Sequence, residues 1–154
     1  AQLLTWLALR TPGLLRLTTW WLATFPGAVR SSIASALAGG TQTPGFDDLV
    51  QLAATEARRK QQHHERALDD WQVLAYGPRA MRTSFLPELG QIARPTLWLR
   101  GEADPLVSRQ DVAAAVAATP GALAAAIPQA GHLAPLDQPD VVARHVVDFL
   151  STLD

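Results

Sequence analysis

The sequence predicts an α/β fold in its last third and an all-helical region before it. Two observations carry this expectation. The runs Pro95-Thr96-Leu97-Trp98-Leu99-Arg100 and Ala122-Leu123-Ala124-Ala125-Ala126-Ile127 have the length and apolar character of buried strands, and a helical segment from Ser108 to Thr119 joins them. Strand, helix, strand is a right-handed crossover unit, so the two strands must lie parallel. Residues up to about Leu86 show no strand signal. The domain expectation is therefore a helical region over 1–86 and a sheet-bearing segment over 87–154.

Composition bounds what the chain can do. Its 154 residues are 48% hydrophobic and 18% charged, which is ordinary for a globular domain with a real core. The formal net charge is -1 and the basic residues are scattered except at Arg58-Arg59-Lys60, so no nucleic-acid footprint is present. Without cysteine there is no disulfide frame, no thiolate nucleophile and no thiolate metal site. The most apolar stretch, Leu14 to Val29, is interrupted by Arg16, Thr18, Thr19 and Pro26, too broken for a membrane span. The start at Ala1 carries no basic n-region, so the expectation is a cytoplasmic protein, and a start without methionine looks more like a cut than a natural beginning.

Taken in order, Ala1 to Leu37 reads as three short helices punctuated by Thr11-Pro12-Gly13 and Phe25-Pro26-Gly27, the third running into Gly39-Gly40. Leu3, Leu4, Leu7, Leu14, Leu15, Leu17, Trp20, Trp21, Leu22 and Phe25 make these helices apolar over more than one stripe, which demands two buried faces, or one face and a ligand cavity. Trp20, Trp21 and Phe25 therefore have two readings: packing against other helices, or lining an apolar substrate pocket. Asp47 can cap a long helix running towards Ala75, ended by Gly77-Pro78. Its polar middle reads as a solvated face. On it His63 and His64 point about 100° apart, a poor geometry for holding one metal. Arg79 to Leu86 reads as a further short helix, and Pro87 to Ala93 leads into the first strand.

Each strand of the crossover is followed by a piece that carries chemistry: Gly101-Glu102-Ala103-Asp104-Pro105 and Gln129-Ala130-Gly131-His132-Leu133. Ligands of parallel sheets collect beyond the carboxyl ends of the strands, and Asp104 and His132 both fall there. Taken singly, Asp104 is explained as a turn residue and His132 as a loop histidine. Taken together they are two members of a nucleophile, base and orienter set. A carboxylate on one ring nitrogen fixes the proton there and leaves the other nitrogen basic. Gly131 permits a close turn before His132. Glu102 is the rival carboxylate. Asp111, three residues after Ser108, resembles a capping box with a shorter acid, and Asp137 or Gln138 caps a closing helix that has Pro139 in its first turn. Val141, Val142, His145, Val146, Phe149, Leu150 and Leu153 form that helix's apolar stripe, with His145 a core or boundary residue.

The order Pro-Thr-Leu-Trp-Leu-Arg-Gly-Glu-Ala-Asp-Pro-Leu-Val, then Ile127 to His132, then Gln138-Pro139-Asp140-Val141-Val142 resembles the C-terminal end of an α/β-hydrolase-fold protein over Leu89 to Leu150. The resemblance implies a partial α/β-hydrolase core, its last two parallel strands and their helices, preceded by a helical cap. It implies that Asp104 is the triad acid and His132 the general base of an ester hydrolase acting on an apolar small molecule. No metal and no organic cofactor is implied. The family also needs a Gly-x-Ser-x-Gly elbow upstream of both residues, and this sequence has none. Ser31, Ser32 and Ser35 lie in a helical run, Ser84 in the last helix of the expected cap and Ser108 at a helix start. Two strands are also too few for a stable open sheet. The expected partners are thus an apolar substrate and a missing N-terminal half that carries the nucleophile, or a second copy of the chain. An aspartate nucleophile, as in an epoxide hydrolase or dehalogenase, and a catalytically inactive oligomerising module are the alternatives.

Overall fold

The computed structural model describes Gln2 to His63 and Arg66 to Leu153. The second member of the expected histidine pair, His64, lies outside the described residues. His63 is exposed at the end of its helix. By contacts the chain divides into two compact units: Ala1–Arg30 with Asp47–Ser84, and Ser31–Phe46 with Phe85–Asp154. The segment 31–46, expected among the helices of the first region, groups with the sheet.

The helical unit begins with α1 (Gln2–Arg10) and α2 (Leu14–Thr24), separated at the Thr-Pro-Gly break by Gly13, whose positive φ of 78° suits a residue without a side chain. Pro26 opens α3 (Pro26–Ala36), where its missing N–H goes unused. The long helix expected from Asp47 to Ala75 is instead two, α4 (Phe46–His63) and α5 (Ala67–Ala75), because Arg66 leaves the helical region with φ -124°. Within this unit α1 packs against α2 and α5. Nor does Arg79 to Leu86 form a helix. Pro78 cannot donate, and the chain reverses tightly: the Gly77 amide donates to the Ala80 carbonyl, the Arg82 amide donates to the Ala75 carbonyl, and Tyr76 bridges Met81 antiparallel.

In the sheet unit, a 3-10 turn (Gly40–Gln42) and α6 (Leu86–Leu89) precede β1 (Leu97–Gly101). Then come α7 (Arg109–Ala118), β2 (Leu123–Ile127), a single helical turn α8 (Ala134–Asp137) and α9 (Pro139–Leu150). The strands pair in parallel, Leu97 opposite Leu123 through Gly101 opposite Ile127. This is the crossover that the two apolar runs predict. Ser108 and Asp111 form the capping box at the start of α7: the Asp111 amide donates to Ser108 Oγ at 3.1 Å and the Ser108 amide donates to Asp111 Oδ2 at 3.2 Å. Helix α9 packs on both strands, and Leu99, Val141 and Val142 close over a core of Ile127, Ala130 and Ala134. His145, on the same helix, is half-buried.

Candidate active site

The register of the sheet sets the site. Gly101 and Ile127 are the last residues of their strands and face each other, so the loops that follow leave from the same end. Those loops bond at once: the Glu102 amide donates to the Ile127 carbonyl at 2.9 Å and the Ala103 amide to the Ala130 carbonyl at 2.9 Å. Such closeness needs glycine. A Cβ at Gly101 would collide with the carbonyls of Ala130 and Gly131. A Cβ at Gly131 would collide with the Ala36 carbonyl and the Ala38 amide. Gly131 was expected to make the turn before His132, but it serves close approach instead. The residue with left-handed backbone is Gln129, at φ 54°.

Asp104 and His132 meet there. His132 Nδ1 lies 3.0 Å from Asp104 Oδ2 and 3.2 Å from Oδ1. The two side chains differ in exposure, 6% for Asp104 and 37% for His132. Burial acts to raise the Asp104 pKa, but the Leu106 and Val107 amides donate to Oδ1 at 2.8 and 3.0 Å. With His132 they hold the carboxyl below its ordinary value. An ionised carboxylate only accepts, so this pairing suits the ring tautomer that carries its proton on Nδ1 and keeps a lone pair on Nε2. A backbone bond from the His132 amide to the Ala36 carbonyl, 2.7 Å, fixes the base of that loop. The arrangement can accept a proton at Nε2 and stabilise the resulting imidazolium through Asp104.

Glu102, the rival acid, uses its backbone: its carbonyl accepts from Arg100 and its amide donates to Ile127. Asp137 is not a cap of α9. Its carboxylate accepts from the Gly131 amide (2.8 Å), the Ala38 amide (2.9 Å), the Gly39 amide (3.3 Å) and the Thr43 hydroxyl (3.0 Å). Burial raises its pKa, and these donors outweigh that effect and leave it lowered. Sequence reasoning gives Asp137 a local role because three of its four partners, Ala38, Gly39 and Thr43, lie 94 to 99 positions away. Arg100 was missed altogether, although a charged residue ending an apolar strand was the signal.

Trp20 and Trp21 lie on α2 of the helical unit, Phe25 follows its last residue, and the three are 46%, 49% and 47% exposed. Phe25 meets Trp20 edge-on at 6.1 Å and Trp21 at 6.3 Å. Trp20 also lines an open cleft of about 980 Å³ whose walls, among them Leu9, Leu15, Lys60, Asp69 and Val73, belong to the helical unit. Of the serines weighed as nucleophiles, Ser35 donates to the Ser32 carbonyl and Ser108 Oγ to Asp111.

The fold is shared with solved structures. A 2-hydroxy-6-oxo-6-phenylhexa-2,4-dienoate hydrolase from Rhodococcus sp. superposes with a TM-score of 0.64 at 19% identity, covering 92% of this chain and 50% of that one. The chain carries part of an α/β-hydrolase fold. A serine hydrolase involved in carbazole degradation shares the fold too, with a TM-score of 0.64 at 18% identity over 83% of this chain and 48% of that one. In sequence, the chain is 36% identical over 93 residues to a pimeloyl-(acyl-carrier protein) methyl ester esterase of Stenotrophomonas maltophilia, covering 58% of this chain and 35% of the relative. The corresponding esterase of Xanthomonas oryzae is 36% identical over 72 residues, covering 47% of this chain and 28% of the relative. The chain thus spans about a third of the curated relatives it matches. No family model matches the sequence. No helix among the described residues is long and apolar enough to cross a membrane.

Proposed function

We propose that this chain is the cap and C-terminal core segment of a serine-type α/β hydrolase that cleaves a carboxylic ester of an apolar small molecule. The observation that carries the reading is the 3.0 Å pairing of an exposed imidazole with a buried, amide-bonded carboxylate at the carboxyl end of a parallel sheet. The likeness to named methyl ester esterases supports the ester.

In this proposal a serine outside the 154 residues attacks the ester carbonyl while His132 Nε2 takes its proton. Asp104 holds Nδ1–H and offsets the positive charge that develops on the ring. The tetrahedral intermediate collapses, the alkoxide leaves with the proton from Nε2, and an acyl-enzyme remains. Water then gives a proton to Nε2 and attacks the acyl carbon, releasing the acid and the serine. Trp20, Trp21 and Phe25 bind the apolar part of the substrate, a role supported by their exposed, mutually packed rings.

The test is hydrolysis of p-nitrophenyl esters by this chain alone and combined with a front half carrying the elbow. Activity is expected only in combination and only with His132 intact. Appreciable turnover by the lone chain would refute the reading.

A further inference from the structure

The acid loop, from Glu102 to Val107, has no regular secondary structure, yet it must hold one carboxylate against one ring nitrogen. Most of its backbone polar groups are occupied, and a single side chain takes three of its carbonyls. Arg100, next to last in β1, donates from Nε to the Val107 carbonyl at 2.6 Å, from Nη1 to the Glu102 carbonyl at 3.2 Å and from Nη2 to the Asp104 carbonyl at 3.0 Å. The Val107 amide in turn donates to Asp104 Oδ1. Val107 is therefore held on both sides, by the guanidinium through its carbonyl and by the catalytic carboxylate through its amide. The backbone of Asp104 is tied to the same guanidinium.

A planar guanidinium can span carbonyls pointing from different parts of a loop, because its donors form a rigid fork; an ammonium on a flexible stem cannot hold them together. The Arg100 stem leaves a strand whose partner residue is Ala126, so the base of the fork is as fixed as the sheet. Arg100 bonds backbone carbonyls, and Asp104 takes its carboxylate bonds from Leu106, Val107 and His132. Its effect on the acid is one of placement.

We infer that Arg100 is a positioning residue: it fixes the acid loop so that the Asp104 carboxylate meets Nδ1 of His132 and sets the ring tautomer. The inference rests on the proposed acid and base roles of Asp104 and His132. Losing the fork leaves Asp104 present but displaced, and displacements of this kind lower turnover about 100-fold in other enzymes without removing a reacting group.

The test reads the His132 ring in this chain by two-dimensional proton–nitrogen NMR at neutral pH, for the unaltered protein, Arg100→Ala, Arg100→Lys, Arg100→Gln and Asp104→Asn. Circular dichroism and the amide signals of β1 and β2 report whether each variant is folded. The unaltered ring is expected to carry its proton on Nδ1. Arg100→Ala is expected to lose that preference to the extent that Asp104→Asn does, and Arg100→Lys to restore only part of it. If Arg100→Ala does not fold, Arg100→Lys and Arg100→Gln decide by the same signal. Should the folded Arg100 variants keep the unaltered ring pattern while Asp104→Asn changes it, Arg100 has no positioning role and the acid and base reading stands. Should Asp104→Asn leave the ring unchanged as well, the acid and base reading itself fails. In the combined enzyme, Arg100→Lys is expected to lower kcat about 10- to 100-fold with KM little changed.

Discussion

The helical unit and the sheet unit are equally apolar to the eye in sequence, but they use their side chains differently. In the sheet unit Ile127 and Ala130 are fully buried, and the buried ends of the strands are tied by carboxylates that accept backbone amides. In the helical unit, α2 has no buried residue, and Leu4, Leu17, Trp21 and Leu74 are 72%, 56%, 49% and 68% exposed. Its ion pairs include Arg30 with Asp47, whose side chains are 47% and 77% exposed. Period and composition set the type of an element. Whether its apolar face is covered depends on what it meets, which neither can express. The sheet unit holds the Asp104 and His132 pair, and apolar surface is shared: Leu123 and Val147 of the sheet unit are 51% and 60% exposed, while Ala75 of the helical unit is fully buried.

The sharpest form of this contrast is catalytic. In the combined enzyme, His132→Ala is expected to lower kcat on the order of 10⁶-fold, since the proton then has no acceptor. Alanine at Trp21 should act mainly on KM for longer acyl chains. Ester kinetics over a chain-length series measure both. A large loss of kcat in Trp21→Ala with little effect of His132→Ala would reverse the assignment of roles.

The second form is packing. Ile127→Ala removes a fully buried side chain in contact with Leu99 and the α9 valines and is expected to cost about 2 to 5 kcal/mol of stability. Leu4→Ala removes the same number of carbons from a largely exposed side chain, and should leave the urea midpoint nearly unchanged. Equal shifts would show that the helical unit is packed as tightly as the sheet unit.

The sheet unit was also the legible part of the sequence. The two strands, their parallel pairing and the convergence of Asp104 and His132 followed from two apolar runs and a helix between them, because local pattern and topology rules act over short separations. What stayed hidden was non-local. The work of Asp137 depends on Ala38, Gly39 and Thr43, and no spacing rule connects residues that far apart. Arg79 to Leu86 reads as a helix in the sequence, whereas the chain reverses between Gly77 and Arg82 through paired backbone bonds that residue preferences do not reveal. The cap at Ser108 and Asp111, by contrast, was readable since all its atoms lie within one turn.

The pH dependence of stability should follow the same division. Asp104 and Asp137 have lowered pKa values when folded, so the folded protein binds fewer protons than the unfolded chain in the acid range. Their contribution is complete above the unfolded carboxylate value, roughly 4, and is lost as pH falls through the lower folded values. Asp137→Asn presents a donor where four donors already point, and is expected to cost about 1 to 3 kcal/mol at neutral pH and to flatten the acid loss. Urea titrations from pH 7 to about 2.5 measure this. An unchanged slope in Asp137→Asn would mean that its four bonds contribute nothing ionic.

The smallest expected effect tests the contrast inside the helical unit itself. Lys60 and Asp69 pair at 2.5 Å with side chains only 28% and 15% exposed, whereas Arg30 and Asp47 are open to solvent. Water screens the second pair, and the flexible side chains lose freedom to form it, so Asp47→Asn should leave the melting temperature unmoved. Lys60→Ala strips the partner from a mostly buried carboxylate and should lower stability by about 1 to 2 kcal/mol. Added salt sharpens the comparison, since screening reaches the exposed pair first. If Asp47→Asn destabilised the protein as much as Lys60→Ala, and did so equally at high salt, exposure would not be what separates strong from weak charge pairs in this molecule.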